Sequence, residues 1–213
     1  ELVYNGVHVG NYYLCEQIKI DGNRLDINDP YDEKDGYSGD AEDYGYLLEA
    51  DDGYDESWKF TTANYIPFLF KDDGNDEMLS YATSFVRGVE DKLYAGNYSA
   101  AYEQLDLTSF ADFWLIQEIM MNSEMKHPKS VYMYLNRGTI YAGPIWDFDW
   151  NTLPVSTTYA EEGYSYTKSM LEKAKPYHKR SGYPNEPIED DDKNYVWYPM
   201  LVKDATFKAL TAE

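Results

Sequence analysis

The stretch SVYMYLNRGTIYAGPIWDFDW, residues 130–150, decides the fold that we predict for this chain. Its first part consists of two alternating aromatic segments on either side of Asn136, Arg137 and Gly138, a pattern typical of a β-hairpin. The chain then runs into Asp147 and Asp149, two carboxylates one residue apart among Ile, Trp and Phe side chains. A buried carboxylate needs a cation, hydrogen-bond donors or a shared proton. A divalent metal ion is the simplest source of that charge.

A helix and a polar loop precede this hairpin. Residues 109–122, SFADFWLIQEIMMN, are apolar on most of a helical circumference, and Thr108 or Asp106 is the expected N-cap. The loop SEMKHPK follows at residues 123–129 and carries Glu124. We predict that this helix is the central buried helix of the fold.

The order of helix, polar loop, hairpin and acidic turn matches the catalytic core of protein-kinase-like folds. In those enzymes the loop carries the catalytic acid, and an Asp after the hairpin holds the magnesium ion of the nucleotide. Here Glu124 takes the loop position and Asp147 the metal position, 23 residues later (147 − 124). Phosphoryl transfer depends on positioning and charge neutralisation, which carboxylates on a rigid hairpin supply through a bound metal ion.

The rest of the sequence predicts strands and further helices, which together indicate an α+β fold in which antiparallel strands and hairpins pack on a few helices. The predicted elements are a hairpin with strands at residues 2–4 and 7–20 around Asn5-Gly6, a bulge at Gly10, strands at 24–27 and 45–51, helices at 76–95 and 165–175, and helical character after Pro199.

Composition excludes several function classes. The formal net charge is −21, from 39 acidic and 18 basic residues, and such a field repels nucleic acid and anionic membranes. We therefore expect no nucleic-acid partner. The apolar runs are short and interrupted by charge, so we expect no direct membrane insertion. Cys15 is the only cysteine, which excludes an intrachain disulfide and a thiolate-rich zinc site.

The motifs together resemble a known family. The run from SFADFW at residue 109 to WDFDW at residue 150, with NGVHVGNYYLCEQI and GYLLEAD upstream and YVWYPMLVKDATFKAL downstream, is similar to the CotH kinase family, named after a bacterial spore-coat protein H. The resemblance covers the chain except residues 28–44 and 152–194. It implies an atypical protein kinase of bacteria and some eukaryotes that uses ATP and Mg²⁺ or Mn²⁺. The implied substrates are Ser or Thr residues of surface or coat proteins, in an extracellular or cell-envelope location.

The resemblance assigns roles by position. Asp147 would be the metal-binding acid, with Asp149 assisting, and Glu124 would be the catalytic acid of the loop. The family pattern has Asp at that loop position, and a displacement of ~1 Å by the longer Glu side chain can lower the rate ~100-fold. His127 and Ser130 lie where ordinary kinases place a second metal ligand, an Asn.

The phosphate-binding end of the site is less well marked in the sequence. A kinase-like fold requires a Lys or Arg that reaches the phosphates and an acid that orients it. The candidates are Lys19, Arg24 and Glu16. The basic cluster Lys168, Lys173, Lys175, Lys179 and Arg180 is interpreted as a soluble flap or as a site that recruits an acidic substrate.

We predict a single domain over residues 1–213, with a mostly β part at 1–71 and a mostly helical part at 72–213. The opening of the chain in mid-pattern predicts that it belongs to a larger multidomain protein. An alternative function is a catalytically inactive surface module that binds protein or glycan through its Tyr and Trp residues. Two further alternatives concern the Asp147 and Asp149 pair, which could support metal-assisted hydrolysis or simply cap a helix or pair with Arg137.

Overall fold

The predicted hairpin at residues 130–142 is confirmed. The structure is a computed structural model that describes residues 1–11, 15–29, 31–32, 36–37, 39–51, 53–120, 122, 128–148 and 196–212. Strands β8 (Val131–Asn136) and β9 (Thr139–Ala142) pair antiparallel, with Asn136 opposite Thr139. The two residues between them, Arg137 and Gly138, both have positive φ. This is the backbone of the two-residue turns that match the twist of a hairpin.

This hairpin forms one side of a five-stranded antiparallel sheet within the described residues. The strand order is β6-β7-β5-β8-β9. The remaining strands are β5 (Tyr46–Ala50), β6 (Lys59–Thr61) and β7 (Pro67–Phe70). The predicted strand at 45–51 is thus confirmed as β5, the central strand, whereas the sequence analysis missed β6 and β7. All residues of β5 and β7 are buried, so these strands show none of the polar alternation that marks a half-exposed strand.

Helices cover one face of the sheet. Five helices occur in the described part of the chain, and the two longest match the predictions. Asn75 caps the first by accepting a hydrogen bond from the amide of Met78, and Asp106 caps the third through the amide of Ser109. Thr108 lies inside the third helix, so its proposed capping role is wrong. The helices are α1 (Asp76–Tyr94), α2 (Tyr98–Tyr102), α3 (Leu107–Met120), α4 (Tyr198–Leu201) and α5 (Ala205–Leu210).

The main core lies between this sheet face and the helices. Leu48 and Ala50 of β5, Val86 and Val89 of α1, and Phe110 of α3 belong to one cluster of buried side chains. A second, smaller cluster lies on the opposite sheet face, where Leu25 and Ile27 cover Leu47 and Tyr132. Successive residues of a strand point to opposite faces, so Leu47 and Glu49 lie on the face away from α1.

The N-terminal hairpin is shorter than predicted. Strands β1 (Leu2–Tyr4) and β2 (Val7–Gly10) pair around Asn5-Gly6, and the register shifts between Leu2 and Val3, where Leu2 faces Gly10. This irregularity confirms the bulge at Gly10, whose φ is 137°. The prediction that the strand continues to residue 20 is wrong, because β2 ends at Gly10, its last residue paired with β1, and the described residues 11 and 15–19 belong to no strand. The predicted strand at 24–27 is reduced to bridges at Leu25.

Two very short strands, β3 (Tyr31–Asp32) and β4 (Gly36–Tyr37), pair with each other, and a 3-10 turn follows at Ala41–Asp43.

The antiparallel sheets and the helices together confirm the α+β fold class, while the kinase-like arrangement and the single-domain organisation stay predictions. The predicted helix at 165–175 and the basic cluster from Lys168 to Arg180 lie outside the described residues. Within the described chain, the search for a helix long and apolar enough to span a bilayer finds none.

Candidate functional site

Asp147 lies shortly after the end of β9, on the side of the hairpin where β8 begins. Because β8 and β9 are antiparallel, Ser130, the residue before β8, lies at the same end. The Ser130 hydroxyl donates a hydrogen bond to Oδ2 of Asp147 over 3.1 Å. Both residues have positive φ, 53° for Ser130 and 60° for Asp147. Such left-handed backbone is uncommon outside glycine and clusters at functional sites.

Glu49 is a carboxylate inside the fully buried strand β5. Its side chain is 6% exposed, and it lies opposite Leu69 of β7 on one side and Tyr132 of β8 on the other. The Tyr132 hydroxyl donates a hydrogen bond to this carboxylate. Burial raises the pKa of Glu49, and the hydrogen bonds from Lys71 and Tyr132 offset part of that rise.

Lys71 supplies the positive charge next to Glu49. It directly follows β7, and its amide donates to the carbonyl of Leu47, so the register places its side chain on the same sheet face as Glu49. The Nζ atom lies 2.7 Å from Oε2 of Glu49 and 3.0 Å from Oε1 of Glu56. Burial lowers the pKa of Lys71, but the hydrogen bonds to both carboxylates outweigh burial and raise the pKa. The side chain is therefore an ammonium ion at neutral pH.

Tyr132 lies opposite Glu49, on the same sheet face as the ion pair. Burial is the largest cause of a raised pKa at Tyr132, and the negative charges of Glu49, Asp51 and Asp147 raise that pKa further. Asp147 thus lies near enough to act on the hydroxyl that binds Glu49. The arrangement brings a buried phenol and a lysine fixed by a buried acid to one face of the sheet, and Asp147 lies at the hairpin end where β8 begins.

The comparison with protein families decides which kind of domain carries this arrangement. The sequence model of the CotH kinase protein family matches residues 1–213, the whole chain. This chain belongs to the CotH kinase family. The resemblance found in the sequence is confirmed, and the family indicates an atypical kinase-like domain. No curated protein and no solved structure matches the chain.

Asp147 gives this CotH kinase domain a ligand suited to Mg²⁺ or Mn²⁺. Both ions prefer oxygen donors, and Mg²⁺ is commonly bound by one or two protein carboxylates together with phosphate oxygens. Asp147 provides one such carboxylate, which the Ser130 hydroxyl orients. Among the described residues, no three His, Cys, Asp or Glu side chains form a ready-made metal site. A single carboxylate of this kind is compatible with a divalent metal ion, and metal binding stays a prediction.

Several predicted site residues lie outside the described residues. They are Glu124, the predicted catalytic acid, Asp149, the predicted second metal ligand, and His127. Their roles stay predictions. Ser130 is described, and the structure places it against Asp147, where its hydroxyl acts as a hydrogen-bond donor to the carboxylate.

The three predicted phosphate-binding residues make contacts within their own segment. Nζ of Lys19 lies 3.0 Å from Oδ2 of Asp21, and Nε of Arg24 lies 3.4 Å from Oε2 of Glu16. Both pairs include a well-exposed side chain, and exposed ion pairs contribute little to stability. The roles of Lys19, Glu16 and Arg24 in nucleotide binding stay predictions.

Sequence reasoning missed Lys71 and Glu49. A signal was present in the strand GYLLEAD, where Glu49 stands among apolar residues. A buried charge of this kind needs a partner. Lys71 could not be identified as the partner, because β7 was not predicted. The apolar run PFLF, which Lys71 directly follows, shows no alternation of polar and apolar residues.

Proposed function

We propose that this CotH kinase domain binds ATP together with a divalent metal ion and transfers the γ-phosphoryl group to a Ser or Thr hydroxyl of a protein. The observation that supports this most is the ion pair of Lys71 with the buried Glu49, on the sheet face where Trp146, the neighbour of Asp147, packs against the cluster of Leu47 and Tyr132. Protein kinases combine a metal-binding Asp after a hairpin with a lysine that a glutamate orients.

Each residue has a defined role in this proposal. When bound, Mg²⁺ or Mn²⁺ would supply positive charge that neutralises phosphate oxygens. Asp147 would hold the ion, and Asp149 is the predicted second ligand. Lys71 binds phosphate oxygens through its ammonium group. Glu49 keeps that group in place, because separating the pair would leave an unpaired charge on a buried carboxylate, which is strongly unfavourable.

The transfer itself requires one base. The substrate hydroxyl oxygen forms a bond to the γ-phosphorus while the bond from that phosphorus to the bridging oxygen breaks, and ADP leaves. The proton of the hydroxyl moves to Glu124, the predicted acid of the loop after α3. Glu at this position instead of Asp predicts slow turnover even where nucleotide binds well.

The substrate class follows from the family and from charge. We propose surface or coat proteins as substrates, in an extracellular or cell-envelope location, and we propose that the domain works as part of a larger multidomain chain. The net charge of −21 favours approach by basic protein segments over nucleic acid.

Thermal unfolding with and without Mg²⁺ and ATP tests the proposal. At an ATP concentration of about 100 times Kd, binding stabilises the wild type by about 2.7 kcal/mol, which corresponds to a rise in Tm of roughly 5–10 °C for a chain of this size. Asp147→Asn removes the metal-binding charge and is expected to abolish the rise. Asp112→Asn, which removes the same charge from an exposed position of α3, should leave it unchanged.

The two outcomes that contradict the proposal are distinct. A wild type whose Tm does not respond to Mg²⁺ and ATP does not bind the nucleotide. An equal rise in Asp147→Asn shows that nucleotide binds without this carboxylate, which removes Asp147 from the site.

The exposed N-terminal hairpin favours a second candidate function. Val3, Tyr4 and Val7 are large apolar side chains that lie mostly in solvent. Exposed apolar surface of this kind is typical of interaction sites. In this alternative the domain is catalytically inactive and binds protein or glycan at the surface. A wild type without a response to Mg²⁺ and ATP would favour it.

A further inference from the structure

The two carboxylates that bind Lys71 differ strongly in burial. The side chain of Glu49 is 6% exposed, whereas that of Glu56 is 43% exposed, and Lys71 itself is 27% exposed. Glu49 lies in β5, and Glu56 lies in the loop between β5 and β6. We propose that Glu56 is a displaceable ligand, which holds the Lys71 ammonium group until the phosphates of a nucleotide replace it. This inference rests on the proposed function of the site.

The burial difference determines which carboxylate leaves. Separating Glu49 from Lys71 would leave an uncompensated charge inside the sheet, which is strongly unfavourable. The Lys71–Glu56 pair is only partly buried, and exposed pairs contribute only about 0.2–1 kcal/mol, because water solvates both charges after they separate. Incoming phosphate therefore displaces Glu56 and leaves Glu49 in place.

The loop around Glu56 is fixed on both sides. Nζ of Lys59 donates to the carbonyl of Tyr54 over 2.9 Å and lies 4.8 Å from the centre of the Tyr54 ring. The indole N–H of Trp58 donates to Oδ1 of Asp73 over 3.0 Å. These contacts hold the backbone on either side of Glu56 without using its side chain. Displacement thus requires only rotation of the Glu56 side chain, and the loop keeps its place.

Phosphate is a suitable replacement for this carboxylate. A lysine ammonium group has three N–H donors and acts as a compact point charge for phosphate. A phosphate group brings oxygen acceptors for these donors. A metal ion bound to that phosphate offsets part of its negative charge, which reduces its repulsion from the carboxylates of Glu49 and Asp147. By competing with phosphate, Glu56 lowers the affinity of the site for nucleotide. While no nucleotide is bound, its carboxylate pairs with the positive charge of Lys71.

Titration of the full chain with a nonhydrolysable ATP analogue and Mg²⁺, followed by calorimetry, tests the inference. Glu56→Gln removes the competing charge, and we expect its Kd to be about 1.4- to fivefold lower than that of the wild type, the range that an exposed ion pair allows. The gain should shrink as ionic strength rises from about 0.05 to 0.5 M, because salt screens the competing charge. The control Glu103→Gln neutralises an exposed glutamate after α2 and should bind like the wild type.

The outcomes separate this inference from the function on which it rests. If the wild type binds the analogue and Glu56→Gln binds it equally or more weakly at low salt, the displacement mechanism is wrong while nucleotide binding stands. A wild type that binds no analogue overturns both. Comparison of the Tm of both variants without nucleotide confirms that each is folded, since the loop contacts at Tyr54 and Trp58 do not involve Glu56.

Discussion

Asp147 and Ser130 each hold a left-handed backbone conformation, and their side chains bind each other. Asp and Asn tolerate this conformation better than other non-glycine residues, because their short polar side chains find local hydrogen bonds. The residue type at position 147 therefore has a structural role in addition to the proposed metal-binding role. The two roles can be separated by substitutions that remove the charge in different ways.

Asp147→Asn removes the charge and keeps a residue that tolerates positive φ. Asp147→Ala also removes the charge, but Ala lacks the short polar side chain that makes this conformation tolerable. We expect the free energy of unfolding of Asp147→Ala to be about 1 kcal/mol below that of Asp147→Asn. Urea unfolding without nucleotide measures this difference.

Asp112 provides the control for this comparison. It lies inside α3, where Ala has a higher helix propensity than Asn, so Asp112→Ala should be the more stable of that pair. Equal stabilities of the two Asp147 variants would show that the backbone at this position imposes no such preference.

At the scale of elements, the shortest helices depend on their caps. Helix α5 has six residues, too few to be stable alone in water. Asp204 accepts hydrogen bonds from the amides of Thr206 and Phe207, and the Tyr102 hydroxyl donates to it over 2.8 Å. Burial opposes ionisation of Asp204, but these hydrogen bonds outweigh it and lower the pKa. The carboxylate thus begins α5 and ties it to α2.

Asp204→Ala removes the cap and the contact with Tyr102, and we expect it to lower the free energy of unfolding by about 1–2 kcal/mol at pH 7. Tyr102→Phe removes only the contact and should cost about 1 kcal/mol or less. Because the folded pKa lies below the ordinary value of 3.8, this stabilisation is fully present above that pH and disappears as pH falls through the folded pKa. If urea unfolding at pH 7 shows a lower free energy of unfolding for Tyr102→Phe than for Asp204→Ala, the capping role of Asp204 is contradicted.

The elements also differ in how well the sequence predicts them. Helix α1 shows apolar residues at helical spacing and a capping Asn75, both of which are local signals. Strand β7 consists of four buried residues that begin with Pro67, and such a run cannot be distinguished from a loop or helix segment by periodicity. The strand after Gly10 was overpredicted, since its length depends on pairing with β1, whose first residue, Leu2, faces Gly10, and no local pattern shows where that pairing stops.

At the scale of the whole molecule, Glu90 joins distant parts of the chain. This residue of α1 is fully buried, and its carboxylate accepts hydrogen bonds from the backbone and side-chain N–H groups of Asn64 and from the indole N–H of Trp197. Trp197 also packs against Phe68 of β7 and Phe110 of α3. Burial raises the pKa of Glu90 despite these hydrogen bonds. A single acid therefore connects α1, the turn before β7 and the C-terminal helices.

The raised pKa predicts a pH dependence of stability. Above the ordinary value of 4.5 and below the raised folded value, the folded state binds more protons than the unfolded state, so stability falls as pH rises through this window. Glu90→Gln removes the titrating group. We expect the free energy of unfolding of the wild type, minus that of Glu90→Gln, to decrease as pH rises from about 4.5.

Urea unfolding of both proteins in steps of pH measures this slope, and a constant offset between them does not affect it. Glu103→Gln, at an exposed position, is the control for replacing a glutamate by glutamine. A flat difference for Glu90→Gln would mean that Glu90 does not titrate in this window.

The sequence by itself determined the local parts of this protein, namely the β8–β9 hairpin, the helices α1 and α3 and the α+β class, and it indicated the family, while the site role of Asp147 stays a prediction. Each of these follows from side chains close together in the chain, whose periodicity and turn residues act locally. Only the tertiary structure decided that Glu49 pairs with Lys71 and Tyr132. These residues meet because the register of three strands brings them to one sheet face, and register depends on long-range pairing that no local pattern in the sequence specifies.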